Sequence, residues 1–244
     1  HAPEGRLMAQ NRSSAVMAQR KEAHDSLDDF PTPPWATRAF IEHVLMPRQI
    51  SRSKMLARST AWDPACNRGF MARPLGEYFA DVKATDIHDY GFACHQKTAD
   101  FLWPGSEQDL GEIDWVITNP PFRLADQFIE RAFDLNLEGF AFLMRTAFLE
   151  GDGRHTRIFS RFAPTVVAQF SERVVMHKGK IVDPNIAVPV EDKKSGETVM
   201  RKPSTATSYM WFAWLNGRKF NTASELVWIP RCRQELEREG DYVA

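Results

Sequence analysis

The residues best placed to do chemistry are Asn119-Pro120-Pro121-Phe122, which directly follow the apolar stretch 113–118. Two prolines in succession make a rigid turn that carries no backbone donors. Such a turn can aim the asparagine side-chain oxygen and a proline carbonyl at one point. Two fixed acceptors suit an amino group, which brings two N–H donors. Phe122 adds a flat apolar face on which a planar ring can stack. Taken alone, the same residues also describe a proline-stiffened loop with a buried phenylalanine. Two further sites lie at predicted strand ends. Asp63-Pro64-Ala65-Cys66-Asn67-Arg68-Gly69 closes one strand with a glycine turn, and Asp86 closes the next. The turn does not match G-x-G-x-x-G, so a pyrophosphate-cradling dinucleotide site is disfavoured. An acid in the place of Asp86 can accept two hydrogen bonds from a ribose diol, or cap the segment that follows it.

These residues need a scaffold, and the hydrophobic pattern supplies one. Phe30-Pro31-Thr32-Pro33-Pro34 cannot be helical. From Trp35 the spacing of Ala39, Phe40, Ile41, Val44 and Leu45 predicts a helix that Pro47 ends. Strands are predicted at 61–63, 82–86, 113–118 and 140–144, with helical patterns after Gly69 and over 124–133. Strand and helix thus alternate from residue 59 to about 162, the pattern of an α/β fold with a mostly parallel sheet. Two more strands are predicted at 166–170 and 209–215. Residues 176–207 between them read as a polar insertion without regular structure, and such insertions are usually functional or disordered. Residues 1–28 read as a flexible arm, with 1–7 readable as a tag remnant. Residues 29–230 read as the main domain, and 231–244 as a tail.

The three segments together resemble motifs of S-adenosylmethionine-dependent amino methyltransferases. Asp63–Gly69 resembles their first motif, D-P-x-C-G-x-G. Asn119–Phe122 resembles their [DNS]-P-P-[YFW] motif, and Phe30–Pro33 resembles the segment ahead of the first motif. Phe170-Ser171-Glu172-Arg173-Val174 and the aromatic strand around Trp211 are similar to phage- and prophage-type DNA N6-adenine methyltransferases. The resemblance covers roughly residues 28–230. It implies a Rossmann-like class I methyltransferase fold with a mostly parallel seven-stranded sheet and helices on both faces. It also implies a cofactor, S-adenosyl-L-methionine, and transfer of its methyl group to the N6 amine of a flipped adenine in DNA. Asp63, Pro64, Ala65 and Gly69 would hold the amino-acid part of the cofactor, with Thr32 and Pro33. Asp86 would bind the ribose, Ile87 would pack on the cofactor adenine, and Asp100 and Phe101 would complete that pocket. Asn119, which the resemblance also places among the cofactor-binding residues, and the Pro120 carbonyl, on the turn that Pro121 stiffens, would bind the target amine, and Phe122 would stack on the target base. Asn67 stands where the family has glycine. If that position needs positive φ, asparagine tolerates it better than most residues. RNA N6-adenine and protein glutamine methyltransferases share the asparagine-proline-proline-aromatic turn and are alternatives, as is an inactive nucleic-acid-binding relative.

Composition sets the outer limits. The chain has 244 residues, 43% apolar and 26% charged, with 31 Lys plus Arg against 32 Asp plus Glu. These are globular proportions, and a net charge of −1 excludes a uniformly basic surface, so contact with DNA needs a local patch. Arg145, Arg154, Arg157, Arg161, Arg173, Lys178 and Lys180 cluster in sequence and form either that patch or a solvated, internally paired face. Three cysteines at wide spacing form neither a disulfide framework nor a zinc pattern. No metal site is expected, and no apolar run reaches the ~18 residues of a membrane helix. A cytoplasmic protein of a bacterial or phage-infected cell is expected, acting as a monomer or homodimer. Masking of DNA from restriction, as in restriction–modification or by a phage, and regulation of replication or packaging are equally compatible roles.

Overall fold

The computed structural model describes residues 28–48, 55–192, 196–215 and 221–243. The predicted N-terminal arm therefore lies almost wholly outside the described residues. The chain enters through 28–33 and forms helix α1, Pro34–Phe40, which continues as a π-helical turn over Ile41–Leu45. Pro34 sits in the first turn, where its missing N–H costs nothing. Strand β1 (Thr60–Asp63), the short helix α2 (Ala72–Leu75), β2 (Asp81–Asp86), β3 (Lys97–Thr98) and β4 (Trp115–Thr118) follow. Helix α3 (Ala125–Asp134) leads to β5 (Gly139–Arg145), a helical run α4 over 152–162, and β6 (Val166–Phe170). The strands β7 (Val188–Glu191) and β8 (Thr198–Arg201) precede β9 (Tyr209–Leu215) and β10 (Glu225–Ile229), and α5 (Arg233–Leu236) ends the order.

The main sheet runs β10-β6-β9-β5-β4-β1-β2-β3. All its pairings are parallel except those of β9, which lies antiparallel between β5 and β6. This is the Rossmann-like class I methyltransferase fold, recognisable from the strand order and the single reversed strand. The sheet has eight strands rather than the seven expected. The additional one is β10, which pairs in parallel with β6 on the outer edge. The insertion at 176–207 is not devoid of regular structure either, because β7 and β8 pair as an antiparallel ribbon of their own.

The sheet is covered on both faces, which explains its near-continuous apolar strands. Side chains alternate along β9: Tyr209, Trp211, Ala213 and Leu215 join a core with α1, while Met210, Phe212 and Trp214 join a second core with α3. The first core stacks Phe40 on Trp211 at 4.4 Å, and the second stacks Phe140 on Trp214 at 4.8 Å. Gly139 opens β5 because a Cβ there would meet the Trp115 ring at 2.6 Å. The C-terminal residues are tied to α1 by Arg38. Its buried guanidinium pairs with Asp241 at 2.6 Å and Glu77 at 2.8 Å, and donates to the Leu236 carbonyl.

Candidate active site

The chain leaves β1 for β2 and β3 on one side, then returns to place β4 on the other side of β1. The sheet therefore has its topological switch point between β1 and β4, and ligands of open parallel sheets bind outside the carboxyl ends of strands at such points. Here the Thr118 hydroxyl at the end of β4 donates to Asp63 Oδ1 at the end of β1, at 2.7 Å. Asp63 is 1% exposed, and its Oδ2 is buried without a partner among the described residues. Desolvation, opposed by the Thr118 hydrogen bond and helped by the charge of Asp86, pushes its carboxyl up to about 7. An unpaired buried carboxylate oxygen is costly unless a cation reaches it.

A cleft of about 770 Å³, part of it open to solvent, lies over these strand ends. Its walls come from Pro64, Ala65 and Asn67 after β1, from Asp86 and Ile87 after β2, and from Asp100 and Phe101 after β3. Thr32, Asn119 and Pro121 close the other side. Eight of the predicted cofactor residues thus share one cavity. Asp63 is buried at the end of β1 and does not line it, and Pro33, Gly69 and Pro120 are adjacent in sequence without lining it. Asp86 is buried and accepts from the Asn67 amide at 2.9 Å and the His88 amide at 3.1 Å; burial raises its carboxyl. Asn67 has φ 50° and Gly69 φ 78°. The asparagine therefore occupies the left-handed region it tolerates. Gly69 has no such latitude, because a Cβ there would stand 2.4 Å from the Phe92 ring.

Asp63, Asp86, the tight Gly69 turn and the cleft above them suit a ligand with a cationic amine at one end and a ribose nearby. The residues present accordingly fit S-adenosylmethionine: a buried orphan oxygen for the ammonium and a carboxylate at the β2 end for the hydroxyls.

The Asn119–Phe122 turn is held from outside the sheet by residues 28–32. Asn119 Nδ2 donates to the Phe30 carbonyl at 3.0 Å and the Thr32 hydroxyl at 3.1 Å. Its Oδ1 is buried and has no partner among the described residues. The Phe122 amide donates to Asp28 Oδ2 at 2.9 Å, and the ring lies 5.3 Å from that of Phe30. The same segment grips the β1 loop. Asp29 accepts both terminal nitrogens of Arg68 at 3.0 Å and Asn67 Nδ2 at 2.7 Å. Asp28 and Asp29 were not singled out by sequence; an acidic pair ahead of Phe-Pro-Thr-Pro was the available signal.

The basic residues between 145 and 180 are partly paired within the protein and partly exposed. Arg154 and Arg157 both pair with Asp126 on α3, and Arg157 also approaches Glu130 at 3.9 Å. Arg173 donates to the Ser208 hydroxyl. Arg145 is turned inward, with its guanidinium carbon 3.9 Å from the Phe122 ring centroid. Lys178 and Lys180 are exposed. Among the described residues there is no group of His, Cys, Asp and Glu able to hold a metal, and no helix long and apolar enough to cross a membrane.

The sequence matches no protein-family model and no curated protein. Solved structures of similar shape are distant. A proposed RNA methyltransferase from Pyrococcus horikoshii is 11% identical over 84% of this chain and 96% of its own, with a TM-score of 0.44. The 23S rRNA methyltransferase ErmE is 12% identical over 72% and 68%, with a TM-score of 0.37. A predicted O-methyltransferase from Agrobacterium tumefaciens is 13% identical over 73% and 81%, with a TM-score of 0.41.

Proposed function

We propose that this protein is an S-adenosylmethionine-dependent methyltransferase acting on the N6 amine of adenine in DNA, with the target base outside the helix stack. The observation that carries the reading is the state of Asn119. Its amide nitrogen is doubly engaged, which fixes the carboxamide flip, and its oxygen is buried with no partner among the described residues. A buried acceptor without a partner costs about 1–3 kcal/mol. That cost has a purpose if a ligand N–H completes it.

Asp63, Asp86 and the 63–69 turn hold the cofactor, with Ile87, Asp100 and Phe101 around its adenine. When bound, S-adenosylmethionine supplies an electrophilic methyl group. Asn119 Oδ1 and the Pro120 carbonyl each accept one N–H of the target amine. Those two bonds draw the nitrogen toward sp³ geometry and localise a lone pair otherwise spread into the ring. The same acceptors stabilise positive charge developing on the nitrogen, with no reorganisation at the moment of reaction. The turn contributes orientation as well, because Pro120 and Pro121 leave it little freedom. No general base is needed before transfer, since the methylated ammonium is acidic and releases its proton afterwards. An adenine amine is unreachable inside a duplex, so the base is flipped out or comes from a single strand.

Labelled S-adenosylmethionine offered with duplex DNA, RNA and a translation release factor in parallel tests the reading. Label in N6-methyladenine of DNA supports it. Label only in RNA or in a glutamine side chain transfers the chemistry to another substrate. No binding of S-adenosylhomocysteine by calorimetry removes it altogether.

A further inference from the structure

We infer that Arg145 is a gate on the target slot: its guanidinium occupies the stacking face of Phe122 until a planar base displaces it. The inference rests on the reading of Asn119–Phe122 as the target-amine turn, and adds a residue to it.

Arg145 is the last residue of β5, beside the end of β4 that carries the turn. Its guanidinium lies over Phe122 at 3.9 Å, the separation of stacked rings. A guanidinium is flat and about as thick as a base, so the two cannot share that face. The other neighbours of Phe122 are fixed. The Phe30 carbonyl is bound to Asn119, and Tyr209 is a buried residue of β9 that takes a hydrogen bond from Arg145. Arg145 is the movable one. It is half-buried on a flexible stem, and its Nε is buried without a partner among the described residues. The cation–π gain and the hydrogen bond to Tyr209 are opposed by the cost of that orphan donor, so the closed arrangement is favoured by a narrow margin. The closed arrangement is therefore shallow. An incoming base takes over the stacking, and the displaced guanidinium recovers its donors in water or on a phosphate of the same strand. Stacking and backbone contact are thereby exchanged on one side chain, which favours a base that arrives attached to a phosphate chain.

Adenosine, which has no phosphate, isolates the gate. With S-adenosylhomocysteine saturating the cofactor cleft, Arg145→Ala should bind adenosine about fivefold more tightly than the wild type, as for a slot closed four-fifths of the time. In fluorescence anisotropy with oligo(dA), the same variant should lose about one unit of the slope of log affinity against log salt. Arg145→Lys, whose ammonium cannot lie flat, should keep the salt slope and still bind adenosine more tightly than the wild type. Unchanged or weaker adenosine binding by Arg145→Ala overturns the gate and makes Arg145 a fixed wall of the slot. Absence of adenosine binding by every variant also overturns it. Titration with S-adenosylhomocysteine reports separately whether the cofactor reading and the fold of each variant stand.

Discussion

Asn119→Ala separates chemistry from stability, because its structural effects oppose each other. The substitution removes two hydrogen bonds from Nδ2, at 3.0 and 3.1 Å. Each contributes a net of about 0.5–1.5 kcal/mol. It also removes the buried Oδ1 that finds no partner among the described residues, whose burial costs about 1–3 kcal/mol. The two effects offset, and unfolding free energy should change by less than about 2 kcal/mol, a melting shift within about 8 °C for a chain of this size. The rate has no such compensation. One of two prepositioned acceptors is lost from the reacting amine, and removal of one group from a preorganised charge-stabilising site costs about 10²–10³ in kcat. The assay is single-turnover methyl transfer to DNA with saturating tritiated cofactor, alongside S-adenosylhomocysteine calorimetry and thermal unfolding. The expected variant melts like the wild type, binds S-adenosylhomocysteine within about threefold of it, and transfers methyl at least about 100-fold more slowly. Transfer at the wild-type rate would refute the role of the oxygen. So would a stability loss above about 4 kcal/mol, since a free oxygen cannot be a structural support.

Three other outcomes follow from the geometry. Burial raises the Asp63 carboxyl to about 7, against 3.8 for an ordinary aspartate. Its contribution to folding is therefore complete below about pH 4 and is lost as pH rises through about 7. Affinity for S-adenosylhomocysteine should increase over that same rise, as the carboxylate forms, and Asp63→Asn should abolish both trends; a flat pH profile for the wild type would contradict the orphan oxygen's role. Gly69→Ala combines a positive φ with a Cβ 2.4 Å from Phe92, so calorimetry should show cofactor binding lost or weakened at least about tenfold, with partial recovery when Phe92→Ala is added. Arg38→Met removes the cation paired with buried Asp241 and leaves Glu77 with Arg238 alone and should lower stability by about 3–5 kcal/mol in a urea titration, leaving the affinity of the folded fraction for S-adenosylhomocysteine unaltered.

The central strands were legible because both of their faces are covered. A run such as Tyr209-Met210-Trp211-Phe212-Ala213-Trp214-Leu215 has few alternatives once length and β-propensity are weighed. β10 escaped because it is an edge strand, with Leu226 and Trp228 more than half exposed, and its five residues resemble an ordinary apolar patch near the end of the domain. β3 is two residues long, below any periodicity. β7 and β8 are short, polar and interrupted by Pro189, so their pairing shows only in three dimensions. Among the site residues, the acids and glycine at the strand ends were readable because topology fixes where strand ends meet. The partners of arginines were not. Asp126 lies 28 and 31 residues from Arg154 and Arg157, and neither that pairing nor the seat of Arg145 leaves a local trace.

Residues 28–32 belong to no strand, yet they touch both halves of the cleft: Asp29 the cofactor loop, Phe30 and Thr32 the asparagine, Asp28 the amide of Phe122. On the proposed reading, methyl donor and target amine would sit at opposite ends of one short thread. Five residues upstream of the first helix would then be the physical link between the two halves of the cleft.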